Sequence, residues 1–411
     1  MRIRLAFQLL APAILLLSSL AEVKAQGYGL ETRPPVGPFL DGLTPSLQPG
    51  ASGDWITVPA FPALSFAEPG YAFEPVFLTG APRSDQLYVC DKKGKIWHFA
   101  NHPDTSTKSE FLDLSAQVKI TPNAGLGGLA FHPDFGLPGS PNRGYLYLHY
   151  FWSPSPAQLG PANQVPDSAD ELPNPGFWRL SRFTVQDGQT VADPASEFIL
   201  IQQFDAHHWH NGGSIFFDND GFLYLSSGDI GGDQNAYNAG QTLTQGLFGT
   251  VLRIDVDQDQ SRSHPIRRQP THHDLFNTMP AAWDSVPSYS QGYSIPDDNP
   301  WLDPDGGILE EFWCIGIRSP HRMSYDPQSE EIWVGDVGQF RREEINFITR
   351  AANYQWPYRD GTLAGFRAKP NPLIGTDAPP TFQYSHGANG AAVIGGYVYR
   401  GFQHRSELGG K

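Results

Sequence analysis

A hairpin unit recurs along the chain and limits its fold more than any other feature. In each copy, alternating apolar residues lead into a turn of Asp, Asn, Pro or Gly, and a run of aliphatic and aromatic residues follows. This pattern is typical of a β-hairpin. The 43 glycines and 37 prolines among 411 residues argue against a long helical bundle, because both residues destabilise helix interiors. Full copies lie at residues 128–148, 214–225 and 322–334, and partial copies at residues 86–89 and 396–399.

The spacing between these copies varies, because large insertions separate them. The insertions at residues 153–177, 258–295 and 362–390 are rich in Pro, Gly or His. Repeated hairpins with insertions on one side are typical of a β-propeller, in which sheets pack radially and the connecting loops vary. We therefore predict an all-β fold and a β-propeller. A pair of β-sandwiches is the alternative.

The charge balance is acidic, with 43 Asp and Glu against 28 Lys and Arg and a net charge of −15. An acidic surface argues against nucleic acid or an anionic membrane as the partner. Two explanations remain open at this point: solubility, and cation binding by clustered carboxylates.

The first 25 residues have the pattern of a secretory signal peptide. Arg2 and Arg4 precede an apolar stretch at residues 5–20, and small residues stand before Gln26. The apolar stretch is short for a membrane span, which needs about 20 residues. We expect a secreted or periplasmic protein without a membrane segment after cleavage; an uncleaved anchor is the alternative.

The expected domain organisation follows from this reading. Residues 1–25 are the signal peptide, residues 26–62 are a Pro- and Gly-rich extension, and residues 63–411 are the propeller domain. Cys90 and Cys314 both lie in β-like runs, and two cysteines do not make a disulfide scaffold. We expect both thiols to be buried and unpaired.

Three histidines within four residues form the sharpest chemical cluster. His207, His208 and His210 suit either a metal site or a proton acceptor, and His208 and His210 would share one face of a strand. Zinc would need a further ligand that the spacing does not indicate. A general base needs a carboxylate to orient it, and Asp229 is placed for that role. Ordinary surface histidines remain an alternative.

Two Gly-Asp pairs follow strand-like runs, at residues 228–229 and 335–336. In a propeller the equivalent loops converge on the central axis, so the two pairs suggest one site built from several sheets. Arg318 and Arg322 lie between them and could clamp an anion. Carbonyl-rich turns with acidic residues at 335–346 suit Ca²⁺. Ordinary turns and salt bridges explain each feature equally well when it is taken alone.

Taken together, these motifs resemble the pyrroloquinoline quinone (PQQ)-dependent glucose/sorbosone dehydrogenase family. The resemblance extends over about residues 70–411, with the motifs in family order. The matching stretches are residues 125–135, 210–229, 247–255, 295–300, 315–327, 332–357 and 395–401.

The resemblance implies a six-bladed β-propeller of four-stranded antiparallel blades, with PQQ on the axis and calcium beside it. By position, His210 looks like the base that takes the proton of the sugar hydroxyl while hydride passes to PQQ. Asp229 matches the carboxylate that orients the base. Arg318 matches the arginine beside the quinone oxygen.

The resemblance also implies ligands for the cofactor and for two calcium ions. Gly338 and Gln339 match backbone carbonyls that hold the cofactor calcium, and Glu344 and Tyr354 match a second, structural calcium region. The implied cofactor contacts are Arg318, Ser319, His321 and Asn211. An external electron acceptor would reoxidise the cofactor.

Four positions depart from the family pattern. Ser319 stands where the family usually has Asn, and His321 where Gln or Trp is frequent. Trp209 replaces an acidic residue that contacts sugar in glucose oxidisers, and Asn123 replaces a Gln that touches substrate. We expect Asn123 and Trp209 to contact a substrate other than glucose.

The sequence thus predicts an exported PQQ- and calcium-dependent dehydrogenase of an aldose sugar or related alcohol. The last blade is expected to be incomplete, because the family continues for about one blade beyond the equivalent of Lys411. Two alternatives are a non-catalytic binding propeller, as in the Hedgehog-interacting relatives of this fold, and a calcium-dependent lactonase-type hydrolase.

Overall fold

A computed structural model describes residues 58–154, 175–232, 234–271, 286, 288–386 and 392–410. The predicted signal peptide and most of the N-terminal extension lie outside these residues, as do parts of the insertions. Nearly all regular structure in the described residues is β, so the all-β prediction is confirmed. No helix in the described part of the chain is long and apolar enough to cross a bilayer.

The strands are short and follow one another closely along the chain. Within the described ranges, the helical elements are a 3-10 turn at Ala239–Gln241 and a four-residue helix α1 at Arg405–Leu408. The strands are β1 (Pro75–Gly80), β2 (Gln86–Asp91), β3 (Lys95–Ala100), β4 (Ser109–Asp113), β5 (Leu126–Phe131), β6 (Tyr145–Trp152), β7 (Gly176–Val185), β8 (Ala192–Asp205), β9 (Ile215–Phe217), β10 (Leu223–Ser227), β11 (Thr250–Ile254), β12 (Ser263–Pro265), β13 (Tyr289–Ser290), β14 (Ser294–Pro296), β15 (Phe312–Ile315), β16 (Pro320–Asp326), β17 (Glu331–Asp336), β18 (Arg342–Ile348), β19 (Ala352–Asn353), β20 (Arg359–Asp360), β21 (Leu363–Ala364), β22 (Thr376–Asp377) and β23 (Phe382–Ser385).

Four sheets are built mainly from strands that are consecutive and antiparallel, as in propeller blades. Their orders are β1-β2-β3-β4, β13-β8-β7-β6-β5, β22-β19-β15-β11-β10-β9 and β16-β17-β18-β23. The first and fourth sheets have the expected four strands, whereas β13 extends the second and β19 and β22 extend the third. The architecture is consistent with a β-propeller, and six blades remain a prediction.

The predicted hairpins form where the repeats place them. The three full copies correspond to the pairs β5–β6, β9–β10 and β16–β17, and residues 86–89 lie in β2. The partial copy at residues 396–399 is not in a strand, contrary to the pattern. Its neighbour Gly395 donates one backbone hydrogen bond to His321, but Tyr397 is 67% exposed. Among the described residues, no neighbouring strand pairs with this stretch, so its alternating residues do not form a β-strand.

The largest apolar core lies between the second and third sheets. Trp178 and Phe204 of the second sheet and Leu223 and Phe312 of the third are fully buried in it. Burying one such side chain contributes roughly 1.5–3 kcal/mol. This core fixes the relative position of the two sheets whose loops carry the histidine cluster and Asp229.

Both cysteines are buried and unpaired, as the sequence predicts. Cys90 lies in the first sheet and Cys314 in the third. Burial raises the pKa of each thiol to about 12, so neither is a reactive thiolate at neutral pH.

Candidate active site

The histidine cluster lies in a loop that follows β8, not on a strand. The Asp205 carboxylate closes this loop by accepting hydrogen bonds from the backbone N–H of His207 (3.0 Å) and from Nδ2 of Asn211 (3.2 Å). His210 has a φ of 59°, a left-handed conformation that non-glycine residues seldom adopt. The loop therefore turns His210 away from its neighbours, and the shared strand face expected for His208 and His210 does not form.

His210 and Asp229 meet as the sequence predicts. Nδ1 of His210 lies 2.6 Å from Oδ1 of Asp229, whose side chain is wholly buried. Oδ1 also accepts the Gly231 N–H at 3.0 Å, and Oδ2 accepts the indole N–H of Trp356 at 2.6 Å. A carboxylate can only accept, so this geometry assigns the proton to Nδ1 and leaves the Nε2 lone pair available.

Burial sets the charge of this pair. Desolvation lowers the pKa of His210, and the attraction of Asp229 opposes that shift only in part. His210 is therefore neutral near pH 7, the form that a general base requires. Burial also raises the pKa of nearby Asp205 well above its usual range.

A glycine makes this approach of the two loops possible. A Cβ atom on Gly228 would lie 2.0 Å from the carbonyl oxygen of His210 and 2.8 Å from that of Arg318. Only glycine fits there, which explains the Gly-Asp pair in the sequence. The following N–H, on Asp229, donates to the Arg318 carbonyl at 2.9 Å.

Arg318 joins the two Gly-Asp loops. Asp336, of the second pair, accepts the backbone N–H groups of Arg318 (3.1 Å) and Ser319 (2.6 Å). The Arg318 guanidinium lies 5.3 Å from the centre of the Trp356 ring. Trp356 is also the residue whose indole N–H donates to Asp229. Its Nε is buried and has no hydrogen-bond partner among the described residues. A buried orphan donor on a cation suits an anionic or quinone oxygen.

The carbonyl predicted to hold the cofactor calcium already has a protein partner. Nη1 of Arg318 donates to the carbonyl oxygens of Val337 (2.7 Å) and Gly338 (3.0 Å). The side-chain oxygen of Gln339 accepts the Gln234 N–H at 3.0 Å. A carbonyl has two lone pairs, so calcium at Gly338 would share the oxygen with a guanidinium. The residues therefore fit the quinone better than they fit this calcium.

The second predicted calcium region is also occupied by protein donors. Glu344 accepts the Gly361 N–H (2.7 Å) and Nδ2 of Asn346 (3.1 Å), and burial raises its pKa to about 7. The Tyr354 hydroxyl donates to the Phe347 carbonyl at 2.6 Å. Among the described residues, no group of three or more His, Cys, Asp or Glu is arranged to hold a metal ion.

The remaining predicted contacts are all exposed residues. Trp209, directly before His210, is 41% exposed. His321 is exposed at the start of β16, next to the 392–400 segment. Asn123 is exposed before β5, and its backbone N–H donates to the Thr121 hydroxyl at 3.3 Å.

Four residues of the site escape the sequence reasoning. Asp205 and Trp356 hold the loop and the orienting carboxylate, and Tyr237 bonds Nε2 of His207 at 2.6 Å. His149 is fully buried beneath the loop, where a Cβ on Gly213 would lie 2.8 Å from its Nδ1. Burial lowers the pKa of His149 to about 3. Asp205 stands two residues before the cluster and Trp356 lies in a matching stretch, so only these two had a local signal.

Residues 74–276 and 289–403 match the family model described as "Glucose / Sorbosone dehydrogenase". Three relatives show the range of proteins that the chain resembles. The HIPL1 protein of Arabidopsis thaliana is 28% identical over 79% of this chain and 45% of its own length. The aldose sugar dehydrogenase YliI of Escherichia coli is 27% identical over 50% of this chain and 44% of its own length. The human Hedgehog-interacting protein is 23% identical over 78% of this chain and 38% of its own length. The chain thus spans less than half the length of each relative.

A solved structure also aligns with this chain. The PQQ-bound aldose sugar dehydrogenase of Streptomyces coelicolor aligns with a TM-score of 0.47 and 18% identity, over 77% of this chain and 69% of that protein.

Proposed function

Because this chain belongs to the glucose/sorbosone dehydrogenase family, we propose that it is an exported dehydrogenase that oxidises an aldose sugar or a related alcohol with PQQ and calcium. The observation that carries the proposal is the oriented, neutral His210. Its Nδ1 is held at 2.6 Å by Asp229, a carboxylate that Trp356 and Gly231 fix in turn.

The side chains have separate roles in the proposed reaction. Nε2 of His210 takes the proton of the substrate hydroxyl. Asp229 holds the Nδ1–H tautomer and stabilises the imidazolium that results, while Trp356 keeps the carboxylate in place. Arg318 offers its orphan Nε–H to the oxygen on which negative charge develops. When bound, PQQ supplies the hydride acceptor and calcium supplies a Lewis acid.

The proposed ligand sets follow the family positions. Arg318, Ser319, His321 and Asn211 would contact PQQ. The Gly338 and Gln339 carbonyls would bind the cofactor calcium, with Glu344 and Tyr354 at a second calcium. Trp209 and Asn123 would contact substrate. The orphan Nε of Arg318 supports the first set, whereas its Nη1 bond to Gly338 weighs against a tight calcium site there.

A binding propeller is the second candidate, and one observation favours it. A guanidinium already bonds the Gly338 carbonyl oxygen that calcium would need. The resemblance to a Hedgehog-interacting protein over 78% of this chain agrees with a protein-binding role.

Cofactor reconstitution separates the two candidates. Purified protein is mixed with PQQ and Ca²⁺, and a panel of aldoses is supplied as candidate substrates. Reduction of a dye, which serves as the external electron acceptor, is then followed. The dehydrogenase proposal predicts a change in PQQ absorbance, a raised melting temperature and sugar-dependent dye reduction. Absence of cofactor binding by both absorbance and melting would rule it out for this chain.

A further inference from the structure

Arg322, the second arginine of the predicted anion clamp, has no place in the proposed reaction. It is half-buried, and its Nη1 donates to the carbonyl oxygen of Gly127 at 2.7 Å, across 195 residues of chain. Its guanidinium also lies 5.7 Å from the centre of the Phe77 ring. The side chain therefore reaches from β16 of the fourth sheet to β5 of the second and β1 of the first.

The backbone is distorted at both ends of the bond between Arg322 and Gly127. Arg322 has a φ of 66°, and the pairing of β16 with β17 shifts its register between Pro320 and Met323. The pairing of β5 with β6 also shifts its register around Gly127. A β-bulge re-aims a side chain, and left-handed backbone in a residue other than glycine is strained. The strands are thus bent where the guanidinium crosses from one sheet to another.

The positive charge of Arg322 has no acidic partner in the part of the chain that the structure describes. Its hydrogen bond is to a neutral carbonyl, and the titratable groups whose charge acts on it are the Cys90 thiol and the Tyr397 hydroxyl. Burial lowers the pKa of Arg322, but an arginine stays protonated at neutral pH. A cation that is partly removed from water without a counter-charge is unfavourable, so the site calls for an anion.

His149 contacts the same glycine and also lacks hydrogen-bond partners. Its side chain is 2% exposed, and neither ring nitrogen has a partner among the described residues. A Cβ on Gly127 would lie 3.0 Å from Nδ1 of His149, and one on Gly213 would lie 2.8 Å from it. After burial, the charge of Arg322 is the next cause that lowers the pKa of His149, so the two side chains are neighbours. The neutral imidazole therefore carries one N–H donor that no protein group accepts.

These groups define the chemistry of the missing ligand. The guanidinium and the imidazole N–H both donate, so the ligand accepts hydrogen bonds. One uncompensated positive charge is balanced by one negative charge, whereas a dianion would leave an excess of negative charge between the sheets. Because His149 is almost inaccessible to solvent, a small ion reaches it more easily than a bulky organic acid.

We propose that Arg322 and His149 bind a small monovalent anion of the chloride class beside Gly127. The ion accepts from guanidinium N–H groups that Gly127 does not use and from the His149 N–H, and it links the fourth sheet to the second. Neither Arg322 nor His149 belongs to the groups assigned to the reaction, the cofactor or calcium. The inference therefore goes beyond the proposed function and does not depend on it.

The test measures the melting temperature of the full chain by calorimetry, without PQQ, while sodium chloride replaces sodium gluconate at constant ionic strength. Gluconate is the bulky anion that the site should reject. We expect chloride to raise the melting temperature saturably by about 2–4 °C, because it binds only the folded protein. Arg322→Met should abolish this rise.

Arg83→Met is the matched control for the loss of an arginine. Arg83 also has a left-handed φ, of 56°, and its Nη1 donates to two backbone carbonyl oxygens, at 2.8 and 3.2 Å, but it is exposed. This variant should keep the chloride-dependent rise. If Arg322→Met does not fold, His149→Leu decides: loss of the N–H donor should weaken chloride binding about tenfold, whereas His149→Gln, which keeps a donor, should bind more tightly than His149→Leu.

Four results would overturn the inference: no saturable effect of chloride, the same effect in Arg322→Met or in His149→Leu, a larger effect of sulfate than of chloride, or loss of the effect when PQQ is added. The last result would assign Arg322 to the cofactor. Dye reduction with PQQ and Ca²⁺ is measured on the same samples. A chloride effect that depends on Arg322 without dye reduction would reject the proposed dehydrogenase and support the anion site, and dye reduction without a chloride effect would do the reverse.

Discussion

The two centres that the sequence predicts differ in what their atoms bind. In the base centre, His210 and Asp229 are hydrogen-bonded to each other. The Gly231 N–H and the Trp356 indole also donate to the Asp229 carboxylate and hold it in that orientation. In the calcium regions, the Gly338 carbonyl, Glu344 and the Tyr354 hydroxyl oxygen accept hydrogen bonds from protein donors instead. The first centre is organised by the folded chain alone. The second would have to exchange N–H or guanidinium donors for a cation.

This difference follows from the chemistry of the groups. A neutral imidazole donates to a carboxylate, so each group has a hydrogen-bond partner when both are buried. Oxygen atoms that would bind calcium are all acceptors and cannot hydrogen-bond to one another, so each accepts from a nearby donor instead. The comparison predicts that proton transfer is pre-organised in this chain, whereas calcium binding reorganises it.

Removal of the base should have the largest effect. His210→Ala should lower turnover by about 10²–10⁴-fold, because general-base catalysis is lost, while PQQ binding by absorbance is largely retained. His264→Ala is the matched control, since His264 also pairs Nδ1 with a carboxylate, Asp297, at 2.7 Å. Turnover that survives His210→Ala would show that another group is the base.

Neutralising the orienting carboxylate should have the next largest effect. In Asp229→Asn the amide cannot accept from both His210 and Trp356, so the imidazole is left in the wrong tautomer, and we expect kcat/KM to fall by about 10–10²-fold. In the unaltered protein, activity should fall as pH drops through the lowered pKa of His210, because protonation removes the lone pair. Loss of the Asp229 charge lowers that pKa further.

The pH–rate profile of kcat/KM checks this second prediction. The acid limb of Asp229→Asn should move to lower pH, whereas Asp297→Asn, which alters the control pair, should leave it in place. An acid limb that moves upward, or does not move, would contradict the assignment of Asp229 to His210.

Calcium dependence should give the smallest effect. If Glu344 contributes to a calcium site, saturating Ca²⁺ should stabilise the protein by about 2–3 kcal/mol at 100 times the dissociation constant. Calorimetric melting with and without Ca²⁺ measures this shift, and Glu344→Gln should remove it. Glu310→Gln is the control, because Glu310 is also buried but bonds His264 and Arg267. A calcium shift that persists in Glu344→Gln would place the ion elsewhere.

Local patterns were sufficient for part of this structure. Alternation and turn residues identified the hairpins, and the spacing of His210 and Asp229 across the β9–β10 hairpin identified their pairing. The pattern failed at residues 396–399, because pairing depends on a neighbouring strand and not on alternation alone.

Contacts between distant segments could not be predicted. Trp356 reaches Asp229 because the strands that precede them, β19 and β10, lie in the same third sheet. Arg318 bonds the Gly338 carbonyl because the loop after β15 meets the loop after β17. No motif encodes either meeting. The left-handed backbone of His210 is likewise invisible in a sequence that shows only three histidines close together.

The bond between Trp356 and Asp229 has a consequence for biosynthesis. The two residues are 127 positions apart, and ribosomes make chains from the N-terminus. The base and its carboxylate can therefore meet in a nascent chain well before the indole that fixes them has been added. The final orientation of the proposed proton acceptor therefore depends on a residue far along the chain and requires the polypeptide through Trp356 to be available for folding.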